Sequence, residues 1–68
     1  MNEDFYSLTE NWKRAIQAEQ DAQDLYILMS AAAQDPATRD LFKALASQES
    51  KHEDLLEDEY RRIFEAEM

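Results

Sequence analysis

The 68-residue sequence contains no cysteine, which removes disulfides, thiolate metal sites and redox dithiols as ways of holding it together. It contains no glycine and a single proline, Pro36, leaving two long stretches without a helix breaker and one place for a sharp turn. Positive charge is scarce: 7 Lys and Arg stand against 16 Asp and Glu, for a net charge of −9. That balance works against a phosphate backbone as partner and eases the approach of cations. No apolar run reaches the roughly 18 residues of a membrane span, and the charged N-terminus lacks the pattern of a signal peptide. The expectations are therefore no nucleic acid, no membrane, and a cytoplasmic setting. A chain of this length, residues 1–68, is at most one small domain, and a lone core of that size supplies only a few kcal/mol. With cysteine absent, oligomerisation or a metal held by oxygen and nitrogen remains as the staple.

What is present reads as helix. Ser7-Leu8-Thr9-Glu10 has the form of a capping box and predicts a first helix over about 7–34, after a lead-in over residues 1–6; Asn2 is the other start the pattern allows. Steps of four and three along it join Leu8, Trp12, Ala15, Glu19, Ala22, Tyr26, Met29 and Ala33 on one face. The segment from Leu25 to Ala33 is apolar almost all round, which a helix buried on one side does not need. Leu25, Leu28 and Ala32 then form a second contact face, unless this is simply an Ala-rich surface. Asp35-Pro36 marks the turn: proline disfavours helix in the residue before it, suits the first helical position, and Asp35 can cap. A second helix is predicted over about 36–66, with Arg61 and Arg62 near its end to suit the helix dipole. The fold class is all-α, an antiparallel two-helix hairpin.

The second helix has the seam Thr38, Phe42, Leu45, Glu49, His52, Leu56, Glu59 and Ile63. Glu49 and His52, three residues apart, point to the same side, and a charge on an apolar stripe is costly unless paired or coordinated. Glu19 interrupts the first seam in the same way. Counted from Asp35, Glu19 lies sixteen residues back, Glu49 fourteen forward and His52 seventeen forward. At 1.5 Å per residue these stand about 24, 21 and 25 Å from the turn, level with one another in an antiparallel pair. A Glu from each of two helices and a Glu-x-x-His from each of the other two make up a carboxylate-bridged dimetal site in a four-helix bundle. One hairpin supplies half of that set, and two copies about a two-fold axis supply all of it. Two divalent cations would then balance four glutamates. Tyr26, on the face of Glu19, is either a core tyrosine or a donor whose hydroxyl reaches a ligand carboxylate of the partner hairpin. Glu59 lies about 36 Å from the turn, level with Trp12, and is expected to be solvated there. The run Glu53, Asp54, Glu57 and Asp58 is expected to form a wet face, as are Asp21 and Asp24.

Glu19, Tyr26, Asp35-Pro36, Leu41-Phe42, Leu45-Ala46, Glu49, His52 and Tyr60 together resemble the first helical hairpin of rubrerythrin-like proteins in the ferritin-like superfamily. The likeness runs from about Ala15 to Phe64 and is also similar to the core of encapsulated ferritins, short hairpin chains that dimerise into a four-helix bundle. The resemblance implies a non-haem di-iron carboxylate site with two iron ions per dimer, for which zinc, manganese or calcium can substitute. It implies ferroxidase or peroxidase chemistry, with Glu19, Glu49 and His52 as iron ligands and Tyr26 in contact with them. It further implies a homodimer or larger homo-oligomer, with an encapsulating shell protein as a further partner. Full rubrerythrin-like domains have four helices where this sequence shows two, and rubrerythrins proper add a cysteine-ligated domain that a cysteine-free sequence cannot form. Two rival readings stand beside this one. The first is a metal-free acidic dimerisation or adaptor hairpin whose polar cluster fixes register. The second is a passive zinc or manganese site without turnover, since affinity order alone does not select iron.

Overall fold

The computed structural model describes the backbone of residues 2–65 and the side chains of residues 7–65. Two helices, α1 (Asn2–Ala32) and α2 (Pro36–Phe64), run antiparallel as a hairpin. The helix starts at Asn2, the earlier of the two starts, so residues 2–6 are no separate lead-in and Ser7 lies inside α1 rather than capping it. Nothing between Asn2 and Ser7 breaks a helix, and each residue added to a formed helix gains a hydrogen bond that a cap at Ser7 would forgo. The other end also differs slightly. Helix α1 stops at Ala32 rather than near Gln34, with the Ala33 amide donating to the Met29 and Ser30 carbonyls at 3.0 and 3.3 Å. The expected end of the second helix at Ala66 falls outside the described residues.

Asp35 and Pro36 make the turn as their chemistry requires. Ahead of the proline ring, Asp35 is extended (φ −77°, ψ 126°), and Pro36 opens α2. The Asp35 carboxylate Oδ2 accepts from the Thr38 amide at 2.9 Å and from its hydroxyl at 3.0 Å. These bonds hold its carboxyl below the usual value, the backbone amide contributing most. Arg39 closes the turn from the other side, donating from Nε and Nη2 to the Ala33 carbonyl at 3.4 and 3.2 Å. Ser30, the one described residue that is buried, donates its hydroxyl to the Arg39 carbonyl at 3.0 Å.

Away from the turn the helices are joined by a thin row of aromatic contacts. Tyr26 stacks on Phe42 with ring centroids 6.0 Å apart, and Trp12 meets Phe64 edge-on at 5.9 Å. The Trp12 indole N–H donates to the Leu56 carbonyl at 3.0 Å. Among the described residues no apolar side chain is buried. The extents of 51 × 20 × 12 Å are those of a slab one helix thick, since a helix with its side chains is about 10–12 Å across. Leu25, Leu28, Leu41, Leu55 and Ile63 all lie exposed, Leu28 and Leu55 at 66%. A stable domain packs at least two layers around a core, and this hairpin presents one. The face expected at Leu25, Leu28 and Ala32 is thus open to a contact. Among the described residues, no helix is long and apolar enough to cross a membrane.

Candidate metal centre

The antiparallel turn brings the three seam residues together. Glu19 on α1 and Glu49 and His52 on α2 each offer one donor atom, and those atoms lie within 4.8 Å of one another. His52 Nδ1 stands 3.5 Å from Glu49 Oε2 and 3.7 Å from Glu19 Oε2. Both separations exceed those of a direct N–H···O bond. They match the spacing of two donors on one cation: ligand bonds of about 2.1 Å subtending roughly 110–120° leave the donors about 3.4–3.6 Å apart. The imidazole therefore stands beside both carboxylates without a direct hydrogen bond to either.

Burial sharpens the point. The Glu19 and Glu49 side chains are only 23% and 20% exposed, whereas His52 is 55% exposed. Glu19 Oε2 is shut off from water and has no hydrogen-bond partner within the chain, the one such side-chain atom among the described residues. A carboxylate oxygen left dry and unpaired is costly, and a cation is the partner that would relieve it. The donor set of two carboxylates and an imidazole suits a first-row divalent metal such as iron, manganese or zinc. The residues therefore fit a metal. Exposure of the imidazole leaves the site open on the side that also bears the exposed Leu55, one turn further along α2.

The remaining acidic residues separate by their partners. Glu59 is bound by Arg62 through two bonds of 2.8 Å, which hold its carboxyl below the usual value, and it sits apart from the triangle as expected. Asp58 pairs with Arg61 at 2.8 Å, and Asp21 accepts from the Gln17 amide at 2.9 Å. Asp54 and Asp58 are exposed as expected and Glu57 is half-buried, while Glu53 departs furthest from the expected wet face. It is half-buried against α1, accepting from Gln20 Nε2 at 2.7 Å and from Gln23 Nε2 at 2.6 Å. The Gln20 bond, then the Gln23 bond, holds its carboxyl below the usual value. Sequence reasoning missed both glutamines; their i,i+3 spacing one step from Glu19 was the available signal. Within one hairpin the Tyr26 ring is engaged by Phe42, two helical turns from Glu19 along α1.

A helical hairpin presenting one glutamate opposite a Glu-x-x-His is half of the ligand arrangement of the dimetal-carboxylate bundles. The family model described as Rubrerythrin matches residues 10–68, nearly the whole chain. The chain belongs to the rubrerythrin family, a family of di-iron proteins. Neither a curated protein nor a solved structure matches it.

Proposed function

We propose that two copies of this hairpin pack face to face into a ferritin-like four-helix bundle that holds two iron ions between them. Each copy would contribute Glu19, Glu49 and His52, and the bundle would oxidise iron(II) or reduce a peroxide. The observation that carries the reading is the triangle containing the dry, partnerless Glu19 Oε2. The pairing is supported by the one-helix thickness and by the exposed leucines, which a second layer would cover. An isologous two-fold contact is the commonest way for identical chains to pair.

The two carboxylates would bind and neutralise the cations, and the His52 imidazole would supply a neutral nitrogen donor. Bound as a pair, the iron ions would supply two electrons at once to dioxygen or a peroxide. Tyr26, held in place by Phe42, would present its hydroxyl toward a ligand carboxylate of the other copy. The leucines closing over the site would exclude bulk water. Dissolved iron or a small peroxide would be the reactant rather than an organic molecule.

The test is aerobic iron(II) oxidation by the wild type beside Glu19→Ala. Oxidation well above the buffer blank, lost in the variant, is the expected result. Equal rates in both would overturn the site, and stoichiometric metal binding without oxidation would leave a passive metal-binding bundle.

A further inference from the structure

Among the described residues, polar cross-links tie α1 to α2 at three levels, and they differ in kind. Ser30 near the turn and Trp12 near the open end each donate to a backbone carbonyl of the opposite helix. Between them, at the level of Glu19, Glu49 and His52, Glu53 takes both of its carboxylate oxygens to amides from α1: Oε2 to Gln20 and Oε1 to Gln23. Gln20 and Gln23 are one turn apart on one side of α1, so the carboxylate is gripped from two heights at once. A slide of the helices by one residue, about 1.5 Å, would stretch one of these bonds beyond hydrogen-bonding distance. Bonds of 2.6–2.7 Å to a half-buried carboxylate are of the strong, charge-assisted kind.

The covalent neighbours give this grip its meaning. Gln20 follows Glu19, Glu53 follows His52, and Glu53 lies one turn beyond Glu49 on the same row of α2. Any shift of register or rotation at the clasp passes directly to the 3.7 Å separation of Glu19 Oε2 and His52 Nδ1. Metal–ligand distances tolerate only about 0.2 Å, so small shifts there matter. Both Glu53 oxygens are engaged by amides, and Glu53 is not among the three donors that lie together. We propose that Glu53, gripped by Gln20 and Gln23, is a positioning residue that sets the spacing of Glu19 against Glu49 and His52 and so tunes metal affinity. The inference rests on the metal reading above.

The experiment is a cobalt(II) titration of the full chain, following visible absorption, with each metal-free variant first checked for folding by its melting curve. Glu53→Ala is expected to weaken cobalt binding about tenfold or more and to alter the band shape, as loss of a ligand-orienting contact does. Glu53→Gln can keep both bonds by a flip of one partner amide, and is expected to restore most of the affinity. Asp54→Asn removes the same charge from the adjacent exposed position and measures the through-space effect alone. If Glu53→Ala binds cobalt like Asp54→Asn, or if Glu53→Gln is as weak as Glu53→Ala, positioning is overturned. Should Glu53→Ala fail to fold, Gln20→Ala and Gln23→Ala each remove one donor. Both are expected to weaken binding, and wild-type affinity in both overturns the proposal. Glu49→Ala separates the two levels. If it loses the band while Glu53→Ala keeps it unchanged, only the positioning role fails; if it binds as the wild type does, the metal reading and this inference fall together.

Discussion

The turn and the triangle of Glu19, Glu49 and His52 are built from the same materials, carboxylates and neighbouring donors, yet they end differently. At the turn every polar group that the fold buries or caps with is answered: Asp35 by Thr38, the Ala33 carbonyl by Arg39, Ser30 by the Arg39 carbonyl. At the triangle Glu19 Oε2 is dry and unanswered, and His52 stands just too far from either carboxylate to bond. Saturated groups hold a structure; a group left over marks a place for something the chain does not itself supply. Glu53, close to the triangle yet fully answered, belongs with the turn in this respect.

The comparison breaks most readily at the triangle. His52→Ala should drop bound metal from stoichiometric to background while leaving the helical circular dichroism of the metal-free chain unaltered, as elemental analysis and spectroscopy would show. Next in size is the effect of the metal itself. At a free concentration 100 times the dissociation constant, a bound ion adds about 2.7 kcal/mol of stability. Amide exchange should therefore slow around Glu19–Gln23 and Glu49–Glu53 on loading, and a chelator should reverse it. If protection rose equally at Ser30 and Thr38, the two regions would not be distinct.

Pairing gives a smaller handle. A leucine buried in full contributes about 1.5–3 kcal/mol, so Leu55→Ala should weaken the dimer about tenfold or more, read by sedimentation. The smallest effect belongs to the cap. Because the folded-state pKa of Asp35 is depressed, its contribution is fully present above the unfolded value of 3.8 and is lost as pH falls through the depressed value. The melting difference between wild type and Asp35→Ala should accordingly be constant near neutrality and close at more acid pH.

Much of this arrangement is written plainly in the amino-acid sequence. Asp35-Pro36 is legible because proline restricts its predecessor and aspartate side chains cap helices. The triangle is legible because helical rise converts residue counts from that turn into heights. The start of α1 is harder: Ser7 to Glu10 satisfies a capping pattern, but propagation from Asn2 wins when no breaker intervenes. Glu53 is harder still. Gln20 and Gln23 look like surface residues, and their bonds depend on the rotation of one helix about its axis, which heights alone do not specify. Nor does an apolar stripe announce that no side chain on it is buried within one hairpin.

The central claim, that Glu19, Glu49 and His52 hold metal between two copies of the chain, is tested most directly by an anaerobic iron(II) titration with mass measured under native conditions. The account predicts a dimer or larger assembly saturating at one iron per chain, with saturation abolished by Glu19→Ala. A monomer at saturation, or a Glu19→Ala variant that binds iron as the wild type does, would contradict it.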